Sequence, residues 1–73
     1  MNNIMKQKLV LTCLLEKEEG KILAKCSEID GVATFGNNVG DAIKNLIEAI
    51  TLYFETAKEL GTLDKILKRL MKI

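Results

Sequence analysis

Three carboxylates lie near turn signals in this sequence: Glu28, Asp30 and Asp41. Paired acids at turns are the residue types that hold Mg²⁺ or carry out acid–base chemistry. Two of the three already have a structural duty. Asp30, in Ile29-Asp30-Gly31, can bond its own backbone in a turn. Asp41 stands three residues after Asn38, in the spacing of a capping pair at a helix start. Glu28 alone has no evident structural role. The two cysteines, Cys13 and Cys26, have apolar flanks and lack the positive neighbours that activate a thiol. There is no histidine, which removes the commonest general base, the commonest metal ligand and every Ser-His or Cys-His pair. The reading is of a protein that is not an enzyme, with no catalytic residues, no cofactor and no metal ligands.

The elements that carry these residues follow from periodicity. KLVLTCLL, residues 8–15, alternates: Leu9, Leu11, Cys13 and Leu15 share one face, Val10, Thr12 and Leu14 the other. Both faces are largely apolar, so something covers part of the second face. EKEEG, 16–20, reads as a charged turn, and KILAKCSE, 21–28, as the returning strand. A two-residue Glu19-Gly20 loop would set Cys13 opposite Cys26, whereas a longer loop would shift the register. Outside an oxidising compartment the two cysteines are expected to be buried free thiols. VATFG, 32–36, gives a third short strand.

In "GVATFGNNVGDAIKNLIEAITLY" the period then changes from two to 3.6. Asn38 is the expected cap. Val39, Ala42, Ile43, Leu46, Ala49, Ile50, Tyr53, Phe54, Ala57 and Leu60 form one stripe of a helix over 39–60. Lys58 in the last turn and Gly61 just after it are stop signals. TLDKILKRLMKI gives a second helix over 63–72, with Thr62 as its cap. Its apolar face is Leu63, Ile66, Leu67, Leu70 and Met71, and its basic face is Lys65, Lys68, Arg69 and Lys72. The fold class is α+β: a three-stranded antiparallel meander, one long helix on one face (β-β-β-α), and a short C-terminal helix, in a single domain.

The chain has 73 residues, 48% of them hydrophobic, three aromatics (Phe35, Tyr53, Phe54) and a net charge of +1. A chain of this size buries only ~60% of its unfolded surface, so its core is thin and aliphatic. A near-neutral charge supplies no long-range field toward nucleic acid or membrane. The N-terminal lysines before an apolar run are read as a strand, since the run is short and interrupted by Thr12. No apolar run approaches the ~20 residues that span a bilayer, and a cytoplasmic protein is expected. Val10, Leu14, Leu23, Ile47, Leu52, Ile66 and Leu70 remain as apolar residues for an oligomer interface, in a dimer or tetramer. Glu16, Glu18, Glu19, Glu28 and Asp30 form an acidic set for a basic partner.

The run "LLEKEEGKILAKCSEIDGVATFGNNVGDAIKNLIEAITLYFETAKELG" resembles the HicB-like antitoxin family. That family has a strand ending Cys-Pro-Glu-Leu-Pro-Gly, a short strand, Gly-Asp-Thr at a helix start, and Glu-Ala-x-x-Asn-Leu-x-Glu-Ala-Ile-x-x-Tyr along the helix. Cys26, Glu28 and Gly31 stand at matching places of the first element. Gly36, Asn38, Asp41, Ala42, Asn45, Leu46, Glu48, Ala49, Ile50 and Tyr53 stand at those of the second. The likeness covers about residues 8–61. Ser27 and Asp30 stand where the family has prolines, and Gly40 where it has an acid. The resemblance implies a partial ribonuclease-H-like unit without nuclease activity. It implies self-association and neutralisation of a small mRNA-cleaving toxin by occlusion. Members often continue into a DNA-binding domain, and one extra short helix is too little for that, so DNA binding by this chain alone is not expected. A second reading makes the basic C-terminal helix a nucleic-acid-binding surface.

Overall fold

A computed structural model describes residues 9–71. It has three strands, β1 (Cys13–Glu18), β2 (Lys21–Cys26) and β3 (Ala33–Gly36), followed by two helices, α1 (Val39–Leu60) and α2 (Leu63–Met71). The strands form one antiparallel sheet in the order β1-β2-β3. The α+β meander followed by a long and a short helix is the expected architecture.

The strand boundaries differ from expectation most at β1; the second strand, expected to reach Glu28, ends at Cys26, and the third, expected from Val32, begins at Ala33. Residues 9–12 are outside β1, while Glu16, Lys17 and Glu18 are inside it. A strand exists where it has a partner. β2 ends at Cys26 because Ser27–Gly31 turns away, and beyond it a single backbone–backbone bond to the β1 side, from Ser27 N–H to the Thr12 carbonyl at 2.9 Å, continues the pairing. At the other end the turn needs only Glu19 and Gly20, with φ of 46° and 80°. Two successive left-handed residues make the hairpin turn whose twist matches that of its strands. This loop pairs Glu18 with Lys21 and places Cys13 directly opposite Cys26. Lys8 and Lys72, at the ends of an expected strand and helix, lie outside the described residues.

One face of the sheet packs on α1. Ala24 of β2, with Ala42 and Leu46 of α1, forms the centre, and Ile22, Val32 and Ile50 pack around it. Among the described residues no large side chain is completely enclosed. Two alanines at the centre let helix and sheet approach closely. The closest point is Gly36, where a Cβ would stand 2.7 Å from the Ala42 Cα.

The start of α1 follows its sequence. Asn38 accepts from the Asp41 N–H at 2.8 Å, and its amide donates back to the Asp41 carboxylate at 3.3 Å. Gly61 ends the helix in the left-handed region, its N–H meeting the Ala57 and Lys58 carbonyls. Thr62 stands at the expected cap position, its carbonyl accepting from the Ile66 N–H at 3.2 Å, but its side chain does not cap α2. Its hydroxyl donates to the Ala57 carbonyl at 3.4 Å, tying the inter-helix turn to the end of α1. α2 packs on α1, with Leu63, Ile66, Leu67 and Leu70 half-buried and Lys65, Lys68 and Arg69 exposed. The stripe on α1 frays at both ends, where Val39 and Leu60 face solvent.

Candidate functional site

The acidic residues do not come together. Glu18 and Glu19 sit at the β1–β2 turn, while Glu28 and Asp30 sit at the β2–β3 turn. These turns lie at opposite ends of β2, a six-residue strand, or about 20 Å apart at strand spacing. Asp41 belongs to the first end, because β3 runs back along β2 until Gly36 lies opposite Ile22. Glu28, Asp30 and Asp41 therefore form no joint site. Among the described residues no group of three Cys, Asp or Glu is arranged to hold a metal ion.

Glu28 has a structural duty that its sequence position did not disclose. One carboxylate oxygen accepts from the Thr12 N–H and the other from the Thr12 hydroxyl, each at 2.7 Å. The Cys26 thiol lies 3.6 Å from the first of these oxygens. Glu28 thus pins the segment leading into β1 against the β2–β3 turn. The Thr12 amide, then the Thr12 hydroxyl, hold its carboxyl below the ordinary value of 4.5 by favouring the charged form. Glu16 is also engaged, 3.6 Å from the Lys25 ammonium on the neighbouring strand. Glu18, Glu19 and Asp30 are the acids of the set that remain exposed without a recorded ion pair or hydrogen bond among the described residues.

The apolar residues expected at an interface also divide among several surfaces. By strand alternation Leu14 and Leu23 lie on the open face of the sheet, beside Phe35, which is 51% exposed. Val10 precedes β1 and is exposed. Ile47 and Leu52 protrude from α1, 140° apart around its axis at 100° per residue. Ile66 and Leu70 are on α2, half-buried. A cleft of about 550 Å³ brings Leu70 and Arg69 of α2 to Tyr53 of α1 and to Ser27, Glu28 and Asp30.

Sequence reasoning missed the more continuous apolar surface. α1 lies over β2 and β3 and makes little contact with β1. The helix-facing side of β1 is consequently bare: Cys13 is exposed, and Leu15 is 42% exposed. A groove of about 320 Å³ runs there, lined mainly by Leu11, Cys13, Cys26, Ile43, Ile47 and Ile50. Cys13 was expected to be buried and is not, because it belongs to the outer strand that the helix leaves uncovered. The alternation of apolar residues on both faces of the first strand signalled a second contact, but not which edge would lack cover.

The two outer edges of the sheet differ. Asn45 of α1 donates its side-chain amide to the Phe35 carbonyl at 2.8 Å, and Phe35 lies opposite Leu23 on β3. With Cys26 N–H bonding the Val32 carbonyl, the residues of β3 that point toward β2 are the even-numbered ones, so the carbonyl that Asn45 caps is on the outer edge. At β1 the same reasoning, from the Ser27–Thr12 bond, leaves Cys13, Leu15 and Lys17 with their backbone groups directed outward. Among the described residues nothing bonds them. No described helix is long and apolar enough to cross a membrane.

Compared with family models, with curated proteins and with solved structures, the chain matches none.

Proposed function

We propose that this protein is a non-enzymatic binding module: a HicB-like antitoxin that neutralises a small basic mRNA-cleaving toxin by covering it, and that also associates with itself. The observation that carries this reading is the amount of apolar surface left outside. Leu14, Leu15, Phe35, Ile47 and Leu52 are all large hydrophobic residues with two-fifths or more of their area exposed, in a domain whose core centres on alanine. They lie on more than one surface; where exposed apolar residues adjoin, as at Ile47 on the groove beside β1, such area marks an interaction site. The polar groups that suggested chemistry are occupied in holding the fold: Glu28 on Thr12, Asp41 on Asn38, Asn45 on Phe35. Glu18, Glu19 and Asp30 would aid encounter with a basic partner more than they would add affinity.

The test is co-expression with the product of the adjacent reading frame. The expected result is a stable complex and suppression of mRNA cleavage by that product. Cleavage that continues at saturating amounts of this protein, or a neighbour with no ribonuclease activity, refutes the antitoxin reading.

A second reading rests on Lys65, Lys68 and Arg69, which stand exposed at helical spacing on α2. It predicts binding to nucleic acid whose affinity falls steeply with salt. Absence of binding to duplex DNA and RNA at ~50 mM salt rejects it.

A further inference from the structure

We infer that the outer edge of β1 is the self-association surface, and that two copies pair their β1 strands antiparallel about a two-fold axis at Leu15. The inference rests on the proposed self-association and adds its edge and register.

The two edges of the sheet are not equivalent. The β3 edge has its Phe35 carbonyl bonded by Asn45 and is flanked by α1. The β1 edge offers the backbone groups of Cys13, Leu15 and Lys17 outward, beside a bare apolar groove. Exposed edges of this kind are templates for another strand.

The occupant follows from the charges along β1, which reads Cys-Leu-Leu-Glu-Lys-Glu. An antiparallel two-fold pairing must keep each side chain on its own face, so the axis passes through a residue. Centred on Glu16 or Lys17, it sets a like pair on the axis, and like charges directly opposite are destabilising. Centred on Leu14, it pairs Lys17 with Leu11, which is outside the strand. Centred on Leu15, all three outward residues are used: Leu15 meets Leu15, and Cys13 meets Lys17 in both directions. Leu14 then lies opposite Glu16, and no like charges face one another. β1 thus has one register that uses all of its outward backbone groups without setting like charges opposite one another.

In that register the sheet becomes six continuous strands with both long helices on one side. The Leu15 side chains meet below the flanks of the two α1 helices, where Ile47 is 59% exposed. The partner's strand closes the open side of each groove. The acidic β1–β2 turns, the cleft beside Tyr53 and the basic face of α2 remain free for a different protein.

The experiment combines cross-linking with sedimentation of the full chain. In Cys13→Ser/Leu15→Cys, the introduced thiols of two copies face each other at a bonded antiparallel pair, where Cα atoms stand about 5.5 Å apart, within disulfide range. Mild oxidation with diamide, which takes up the two thiol hydrogens, is expected to convert the variant to a covalent dimer. Leu15→Lys places two cations on the axis and is expected to sediment as a monomer of 8.1 kDa with an unchanged circular dichroism spectrum. Leu52→Lys, on the far flank of α1, is expected to remain a dimer. A monomeric wild type at micromolar concentration overturns both self-association and this edge. A dimeric wild type overturns the edge alone if Leu15→Cys fails to cross-link or a folded Leu15→Lys stays dimeric. Should Leu15→Lys fail to fold, the cross-link decides.

Discussion

Glu28 grips Thr12 at two points, taking the backbone N–H on one carboxylate oxygen and the hydroxyl on the other, both at 2.7 Å. Sixteen residues apart in sequence, they join the segment entering β1 to the turn leaving β2. The bonds favour the ionised carboxyl, so its folded pKa lies below the ordinary 4.5. A depressed carboxyl pKa gives stability that is fully present above the unfolded value and is lost as pH falls through the folded value. Thermal melting should therefore lose part of its stability below about pH 4.5. In Glu28→Gln that segment of the pH profile should flatten. An unchanged profile would show that the clamp contributes nothing to folding.

Glu19 has a backbone φ of 46°, a region that costs a residue with a Cβ about 1 kcal/mol or more. Asn tolerates that conformation best among non-glycine residues. Glu19→Asn should stabilise the protein by about 0.5–1 kcal/mol, measured by urea denaturation. A midpoint at or below that of wild type would mean that the turn is not of the left-handed two-residue kind.

Gly36 stands where β3 passes beneath α1, and the backbone of Ala42 occupies the space of a side chain. Gly36→Ala must push strand and helix apart, at about 1–3 kcal/mol. Leu46→Ala opens the same contact from the other side, at about 2–5 kcal/mol, because Leu46 is buried. Ile50→Ala should cost less, since Ile50 is only half-buried. Chemical denaturation of the three variants measures this order, and equal effects at Leu46 and Ile50 would contradict the packing.

Cys13 is exposed and Cys26 buried, though they face one another across two strands. A thiol reagent applied to the native protein should modify Cys13 rapidly and Cys26 only on unfolding, as resolved by mass spectrometry of peptides. Their position is a non-bonded antiparallel pair, in which Cα atoms approach to about 4.5 Å and a bridge is sterically accessible. Diamide treatment of dilute wild-type protein should therefore also yield an intramolecular Cys13–Cys26 disulfide. Equal native labelling of the two thiols would place the register elsewhere.

Much of the fold is legible in the residue order because local rules and tertiary contacts agree there. Asn38, Asp41, Lys58 and Gly61 bound α1 by capping chemistry, and the stripe through Ala42, Leu46 and Ala57 turned inward as its spacing requires. Disagreement arises where a partner strand decides. The apolar residues 9–11 have strand composition, but β2 has already turned away. Glu16–Glu18 have turn composition, but Leu23, Ile22 and Lys21 lie opposite and pair with them. Ile29 reads as part of a turn and is nevertheless 4% exposed. The acidic set was legible as a composition only. Its division between two ends of β2 depends on the meander, and Glu28's role depends on a contact across sixteen positions that no local pattern encodes.

The amide of Asn45 resting on the Phe35 carbonyl has a bearing on growth by polymerisation. A meander with two receptive margins can add copies indefinitely, as in fibrils. With the Phe35 carbonyl of one margin already taken by Asn45 and the other margin left available, the two margins are unequal, and joining through the available one alone would end at a pair of copies.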